Sequence, residues 1–198
     1  MSHPPLLARE FYQRPTETVA RELLGKLLFC EREGGISIVR INEVEAYLGV
    51  EDPACHTFGG RRTPRTETMW GPAGRAYVYL VYGLHHCLNV VTVGEGSPEA
   101  VLIRGAEIVQ GHGEIQNRRG PAVPVRSLTD GPGKLCQALG VTGAENGLDL
   151  CSGKTNLSIR DDGCITDTTR IRCLPRIGVE YAGDAASWPL RYVSLSSV

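Results

Sequence analysis

The sequence YVYLVYGLHHCLNVVT, residues 77–92, has the pattern of a β-hairpin. Residues 77–81 and 85–92 are rich in aromatic and β-branched side chains, which favour strands. The three residues between them, 82–84, include a glycine, as short hairpin loops commonly do. The pattern predicts two adjacent antiparallel strands, with Tyr82 at or beside the tip of the loop.

Other strands are predicted on either side of this hairpin. Residues 36–47 are rich in β-branched side chains and follow a Gly-Gly turn, and residues 100–104 form a short apolar segment. Shorter strand candidates lie around Leu148, Ile159, Ile171 and Val179. Because side chains alternate along a strand, Glu45 and Tyr47 are expected on the same face, near the end of the first of these strands.

Two helices are predicted. Residues 16–28 carry apolar side chains at helical spacing, which indicates an amphipathic helix with Thr16 or Thr18 as its N-cap and an end near Gly25. The sequence DGPGKLCQALG, residues 130–140, has the order of an N-cap, a first-turn proline, a short helix and a glycine stop.

The remaining long segments, 48–74 and 110–126, are predicted as loops, and a loop as long as the first is more often functional than idle. Helices and strands do not alternate regularly along the chain. This order favours an α+β fold with a largely antiparallel β-sheet and surrounding helices. The length suits a single domain over residues 1–198, and we expect residues 1–9 to be a flexible N-terminus.

The composition, with 41% hydrophobic and 22% charged residues, is that of a soluble globular protein. No run of eighteen apolar residues occurs, and the start MSHPPLLAREFY lacks the pattern of a secretory signal, so we expect an intracellular protein without membrane association. The seven cysteines form no CxxC pair and are odd in number. We therefore expect reduced, mostly buried thiols rather than a zinc site or a disulfide framework.

The net charge of −1 is not typical of a DNA-binding protein, which normally carries a basic surface. Positive charge is nevertheless concentrated in two stretches of the chain. The first contains Arg61, Arg62, Arg65 and Arg75, and the second contains Arg118, Arg119 and Arg126. Either stretch can contact phosphates, although solvated surface arginines are the commoner interpretation.

Two segments of the chain resemble known phosphate-binding or zinc-binding motifs but lack residues that those motifs require. The sequence GPGKL, residues 131–135, has neither the first glycine nor the Ser or Thr of a phosphate-binding loop. His112-Gly-Glu114 matches half of a zinc deaminase motif, but no PCxxC follows it. We therefore expect no metal and no cofactor.

One carboxylate and several aromatic side chains are predicted to lie together. They are Glu45 and Tyr47 at a strand end, His56 in the following loop, and Tyr77, Tyr79 and Tyr82 in the hairpin. Tyrosines in strands are most often half-buried packing residues. The same set also suits a flipped nucleobase, because aromatic faces stack on a base and a carboxylate can polarise a water molecule.

Long motifs that contain these residues resemble the alkyladenine (3-methyladenine, or methylpurine) DNA glycosylase family. In chain order they are FYQRPTETVARELLGKLL (11–28), VEAYLGVEDPACHTFGGRRTPR (44–65), GPAGRAYVYLVYGLHHCLNVV (71–91), AVLIRGAEI (100–108), GPGKLCQALG (131–140) and RIGVEYAGDAASWPLRY (176–192). The resemblance covers residues 10–193. It implies a single mixed domain with a curved antiparallel sheet and an enzyme without metal or cofactor.

The resemblance also implies roles for individual residues. Glu45 corresponds to the general base that deprotonates the water attacking C1′ of the damaged nucleotide, and Arg104 to an arginine near that water and the DNA backbone. The other implied roles are binding of the flipped base by Tyr47, His56 and Tyr79, purine choice by Asn89 and intercalation by Tyr82. Independently of the resemblance, the clustered charge makes Arg61, Arg62 and Arg65 candidates for DNA backbone contact.

Together, these residues predict a DNA glycosylase that flips alkylated or deaminated purines out of duplex DNA and leaves an abasic site. Cleavage of the N-glycosidic bond passes through an oxocarbenium-like sugar, which one carboxylate can stabilise while it activates water. Backbone cutting would need an amine, and none of the three lysines lies in the cluster. We expect a monomer that acts on double-stranded DNA.

Two alternatives stay open at this point. A hydrolase of free purine nucleosides can use the same pocket, and a non-catalytic module can bind damaged DNA with it. Dependence on a duplex substrate separates the first from a glycosylase, and release of a base separates the second. Candidate lesions are 3-methyladenine, 7-methylguanine, hypoxanthine and ethenoadenine.

Overall fold

The computed structural model describes residues 3–195, which contain four α-helices and eight strands. The helices are α1 (Arg9–Tyr12), α2 (Thr16–Leu23), α3 (His112–Arg119) and α4 (Pro132–Leu139). The strands are β1 (Leu27–Arg32), β2 (Gly35–Tyr47), β3 (Ala76–Val81), β4 (His85–Gly94), β5 (Ser97–Gln110), β6 (Leu157–Arg160), β7 (Ile171–Leu174) and β8 (Arg191–Ser194). The predicted hairpin is confirmed as β3 and β4, joined by residues 82–84.

The strands form one antiparallel sheet that branches at β2. Its main order is β3-β4-β5-β2-β1-β6, and β8 pairs with both β2 and β7. The first half of β2 pairs with β1, whereas residues 43–45 in its second half pair with β8 on one side and β5 on the other. Glu45 is therefore flanked by strands on both sides. The predicted single α+β domain with a curved, largely antiparallel sheet is confirmed.

The main hydrophobic core lies where α2 and α4 pack on the sheet. Leu23 of α2, Leu139 of α4 and Val44 of β2 are fully buried there. Burial of one such side chain stabilises the fold by roughly 1.5–3 kcal/mol. This core holds β2 in place, and with it the strand end that carries Glu45.

The predicted amphipathic helix is confirmed as α2, although it is slightly shorter than the expected end near Gly25. It ends at Leu23, because residues 27–32 pair with β2 and β6 as β1. Sheet pairing outweighs the helical spacing of the apolar residues there. The N-cap position belongs to Pro15 rather than to Thr16 or Thr18, and the Thr16 hydroxyl donates to Glu99 at 2.6 Å.

The predicted loop over residues 110–126 was also wrong, because it contains α3. Only Ile115 is buried in this helix, so it lacks the apolar stripe that marks a helix in a sequence. Gly131, rather than Asp130, occupies the N-cap position of α4, while the predicted proline in its first turn is confirmed.

The shorter strands are confirmed in part. Ile159 and Ile171 lie in β6 and β7, whereas Leu148 and Val179 lie outside the strands. Strand β5 extends well beyond the predicted 100–104, and β8 was not predicted. The loop over 48–74 is confirmed, with three short 3₁₀ turns in it.

The described part of the N-terminal segment contacts β6. The Leu7 N–H donates to the Ile159 carbonyl at 3.0 Å, and the Asp161 N–H donates to the Pro5 carbonyl at 2.9 Å. Met1 and Ser2, at the start of the segment predicted to be flexible, lie outside the described residues. All seven cysteines are free thiols and four are buried. Between residues 3 and 195, no helix combines the length and apolar character needed to span a membrane.

Candidate active site

A cavity of about 520 Å³ lies between the β3–β4 hairpin, the 48–74 loop and the segment that follows β7. Its volume is in the range of small-molecule sites. The predicted site residues that line it are Tyr47, His56, Arg65, Tyr79, Tyr82, Asn89 and Arg104. The structure thus brings together residues that are spread over nearly sixty positions of the chain.

Glu45 has no exposed surface and lies directly behind the cavity wall. Its Oε2 accepts a hydrogen bond from the Tyr47 hydroxyl at 2.9 Å, and its Oε1 accepts one from the Ile177 N–H at 2.8 Å. Arg104 Nη1 is 3.4 Å from Oε2. Tyr47, Arg104 and Ile177, which contact the Glu45 carboxylate, all line the cavity. The carboxylate is therefore separated from the cavity only by these residues.

The environment of Glu45 makes its carboxylate more basic than usual. Burial raises the pKa of the Glu45 carboxyl, although Arg104, the Ile177 N–H and the Tyr47 hydroxyl each lower it. A higher pKa makes the carboxylate a better proton acceptor. A titratable group perturbed in this way beside a cavity is a candidate for catalysis.

An aromatic wall forms one side of the cavity. The His56 ring is edge-on to Tyr79, with ring centroids 4.6 Å apart, and Tyr77 and Tyr79 are 5.3 Å apart. His56 Nδ1 and the Tyr77 hydroxyl are 2.9 Å apart, so Tyr77 orients the imidazole. The faces and edges of these rings suit a planar heterocycle.

His56 is neutral at neutral pH. Burial, with the nearby Arg65 and Arg61, lowers the pKa of His56 to about 4. A neutral imidazole offers one hydrogen-bond donor and one acceptor, and the contact between His56 Nδ1 and the Tyr77 hydroxyl engages one of them. The other ring nitrogen, Nε2, can then hydrogen-bond to a ligand without adding charge.

Asn89 lies in the cavity floor, opposite Tyr77 in the β3–β4 register. Its Nδ2 donates to the Tyr77 carbonyl at 3.1 Å, and only 3% of the residue is exposed. The bond fixes the plane of the amide. A buried amide of fixed orientation can discriminate between ligands by shape and by hydrogen bonding.

Tyr82 projects from the hairpin tip at the mouth of the cavity. The residue is 90% exposed, more than the other exposed aromatic residues, Phe58 and Tyr181. Leu84 is also exposed, on the same tip. Large apolar groups exposed beside a cavity mark a candidate surface for a ligand or partner.

Of the first arginine stretch, Arg65 lines the cavity, and Arg61 and Arg62 lie in the same loop. The Arg65 guanidinium is 4.9 Å from the centroid of the Tyr79 ring, and Arg61 is exposed. Arg62 is exposed as well, but its Nη2 is 2.6 Å from Glu67. Arg61 and Arg65 therefore offer the least compensated positive charge of the three.

Other cations are engaged in the fold. Arg75 Nη1 donates to the Gly147 carbonyl at 2.6 Å, and Arg118 Nη2 donates to Ser37 Oγ at 2.7 Å. Lys26 and Lys134 pair with acidic side chains, and among residues 3–195 no lysine lines the cavity. In the part of the chain that the structure describes, no three His, Cys, Asp or Glu side chains are grouped to hold a metal ion.

A buried ion pair that was not predicted from the sequence lies beside the cavity. Arg176 Nη2 donates to Asp52 Oδ1 at 2.8 Å, and neither side chain has exposed surface. The guanidinium also lies 4.8 Å from the centroid of the Tyr47 ring and donates to the Ala46 carbonyl at 3.0 Å. The pair joins the end of β2 to the segment that carries Ile177, so it holds Tyr47 and the backbone donor to Glu45.

Comparison with known proteins identifies the family of this chain. The sequence profile of the Methylpurine-DNA glycosylase family matches residues 10–197. A relative in Desulfitobacterium hafniense is 46% identical, covering 94% of this chain and 93% of its own. Relatives in Myxococcus xanthus (48% identical, 93% and 88% covered) and Methanocella arvoryzae (44% identical, 98% and 94% covered) are similar. All three are named as 3-methyladenine DNA glycosylases. The chain belongs to the methylpurine-DNA glycosylase family.

Proposed function

We propose that this protein is a monofunctional DNA glycosylase that flips alkylated or deaminated purines out of duplex DNA and hydrolyses their N-glycosidic bond. The observation that carries the proposal is a buried, basic carboxylate, Glu45, directly behind an aromatic cavity large enough for a base. Relatives that match nearly the whole chain are named as 3-methyladenine DNA glycosylases, which supports this class of substrate.

Different side chains of the cavity bind different parts of the flipped base. Tyr47 and Tyr79 stack on it, and a stacked base gains about 1–3 kcal/mol on an aromatic platform. Neutral His56 hydrogen-bonds to its edge, and Asn89 limits which purines fit. A purine alkylated at N3 or N7 is cationic, and the π faces of the tyrosines favour such a ligand.

The chemistry needs one water and one carboxylate. Glu45 takes the proton of the water that attacks C1′, and its negative charge stabilises the oxocarbenium-like sugar. Arg104 lies beside that water and reaches toward the phosphate backbone. Because a cationic alkylated purine leaves readily, a second carboxylic acid is not required for such lesions, whereas a neutral purine such as hypoxanthine depends on hydrogen bonds to its edge. No lysine of the described residues lines the cavity, so the proposed product is an abasic site with an intact strand.

Contact with DNA is proposed along the mouth of the cavity. Tyr82 fills the gap that the flipped nucleotide leaves in the stack, and Arg61, Arg62 and Arg65 meet phosphates beside it. A single chain supplies the general base Glu45, the cavity and the intercalating Tyr82, so we propose that the monomer is active. A substrate in chromosomal DNA would place the activity in the nucleoid of a bacterial cell.

The test is substitution of Glu45 by Gln, which keeps the shape of the side chain and removes its charge. We expect single-turnover release of 7-methylguanine or hypoxanthine from a duplex to fall at least about a hundredfold, with little change in affinity. The melting temperature should not fall, because the raised pKa means that the buried charge opposes folding. Glu22→Gln is the matched control, since Glu22 is an exposed partner of Arg14.

Three results would contradict parts of this proposal. Near-normal base release by folded Glu45→Gln would remove Glu45 from the chemistry. Equal rates on free nucleosides and on duplex DNA would favour a nucleoside hydrolase. Tight lesion binding by the parent protein without any base release would favour a non-catalytic damage-binding module.

A further inference from the structure

A second carboxylate, Glu43, shares Arg104 with Glu45. Glu43 Oε1 accepts a hydrogen bond from Arg104 Nε at 3.0 Å and another from Arg191 Nη1 at 3.1 Å. Arg104 Nη1 is 3.4 Å from Glu45, so the shorter of its two carboxylate contacts is to Glu43. The four side chains form a row of alternating charge that ends at Glu45.

An irregularity in strand pairing builds this contact. Glu43 lies opposite Gly105 and Val44 lies opposite Ile103, so the intervening Arg104 has no Cα partner on β2. Such a bulge turns a side chain out of the regular alternation of a strand, and bulges are common beside active sites. The position of Arg104 thus follows from the backbone.

Gly105 permits the close approach of β2 at this point. A Cβ added to Gly105 would lie 3.3 Å from Glu43 Cβ and 3.0 Å from Asn42 Oδ1. Glu43 is 20% exposed and Arg104 is 11% exposed, so the contact is largely screened from water. It is therefore stronger than an ordinary surface ion pair.

We propose that Glu43 is a positioning residue that acts on the reaction through Arg104. Glu43 binds the Nε side of the Arg104 guanidinium, so that Nη1 of Arg104 stays 3.4 Å from Glu45. The ion pair between Arg104 and Glu45 is therefore weak. This role rests on the proposed function, in which Glu45 is the general base. Without Glu43, the charge of Arg104 would act on Glu45 alone, and Glu45 would ionise more easily but accept a proton less well.

The groups around Glu45 allow the sign of the effect to be worked out. They are Glu43 and Tyr47 on β2, Cys87 on β4, Arg104 on β5 and Arg176 after β7. Burial has the largest effect on the pKa of Glu45 and raises it, Arg104 lowers it, and Glu43 makes a smaller contribution that raises it. Burial raises the pKa of both Tyr47 and Cys87, so neither carries charge at neutral pH. Loss of Glu43 therefore lowers the pKa of Glu45 both directly and by freeing Arg104.

The experiment records single-turnover base release from a 7-methylguanine duplex as a function of pH. In Glu43→Gln, the midpoint of the acid limb should fall by about one pH unit, the low end for a changed neighbouring charge, and the plateau rate should fall severalfold. In Arg191→Gln, Glu43 keeps only its bond to Arg104 and its negative charge is less compensated, so the acid-limb midpoint should rise. Glu22→Gln, with the same charge change on α2, should keep the parent midpoint.

The two active-site variants make the proposal refutable even if one of them does not fold. An unchanged acid-limb midpoint in folded Glu43→Gln would overturn the proposal. A lower midpoint in Arg191→Gln would overturn it as well, because any disturbance of the four charged side chains would then have the same effect. If Glu43→Gln is unfolded by circular dichroism, a rise in Arg191→Gln supports the proposal and any other result overturns it. A parent that releases no base would refute the proposed function itself, whereas an active parent with unmoved midpoints refutes only the role of Glu43.

Discussion

Substitution of Tyr82 by Asn should make the protein more stable and less active. Tyr82 has a φ of +51°, in the left-handed region that side chains other than Gly, Asn and Asp rarely adopt. The following Gly83 also has a positive φ, of +69°, and the Leu84 N–H donates to the Val81 carbonyl at 3.1 Å. Positive φ at both central positions with this closing bond is the type I′ turn, in which Asn is a favoured residue.

The size of the stabilisation follows from this geometry. A left-handed backbone conformation costs an ordinary residue roughly 1–2 kcal/mol, and Asn recovers part of it through local hydrogen bonds. The lost side chain is 90% exposed, so almost no packing disappears with it. The expected gain is about 1 kcal/mol, which raises the melting temperature of a protein of this size by about 2–4 °C.

The assay combines thermal melting with base release from duplex and single-stranded substrates. We expect a large loss of rate on the duplex and a small loss on the single strand, where no stack has to be opened. Leu84→Asn is the matched control, because it removes an exposed apolar side chain from the same tip at a residue without positive φ. It should not raise the melting temperature.

A lower melting temperature for Tyr82→Asn would show that Tyr82 stabilises the hairpin, and the strain argument would be wrong. A similar rise for Leu84→Asn would attribute the gain to reduced surface hydrophobicity instead. If excision from the duplex were unchanged, Tyr82 would have no part in opening the stack.

Three further predictions test the surroundings of the cavity. His56 has a pKa of about 4 in the fold against 6.5 for an ordinary histidine, so the unfolded chain binds the proton more readily and the fold loses stability as pH falls from about 6.5 to 4. His56→Asn should flatten the decline in melting temperature over that window. Arg61→Ala should reduce the salt dependence of DNA binding more than Arg62→Ala does, since Arg62 is already paired; equal slopes would contradict this. Asp52→Asn should destabilise the fold by about 3–5 kcal/mol in urea titration, because it leaves Arg176 buried without a counter-charge.

Local patterns were enough to predict the elements that carry most of the site. The β3–β4 hairpin and most of β2 have β-branched and aromatic sequences that fit a strand, and α4 has a first-turn proline. Strand β1 could not be recognised, because its apolar residues continue the helical spacing of α2. Its strand conformation depends on pairing with residues that come later in the chain. Helix α3 has one buried residue and therefore no periodicity to detect.

The same difference applies to the site. Tyr47, His56 and Tyr79 were found because their motifs are long and their residue types suit a base. Arg176 and Asp52 are separated by 124 positions, and neither has a local signature. The branch of the sheet at β2 decides which residues flank Glu45, and that branch depends on β8, a four-residue strand that the sequence pattern does not reveal.

Several unfavourable local features lie around this one cavity, which supports a function for it independently of the relatives, although Val93, also with a positive φ, lies outside it. A buried carboxylate with a raised pKa and an exposed tyrosine with positive φ each oppose folding at neutral pH, whereas the lowered pKa of His56 opposes folding only in acid. Natural sequences usually keep local preference and fold in agreement, and they depart from it at functional sites. Substitutions of Glu45 and Tyr82 that relieve these features should therefore stabilise the protein and lower its activity together. Substitutions with similar gains in stability elsewhere in the fold should leave activity unchanged, and that contrast would separate the site from ordinary surface.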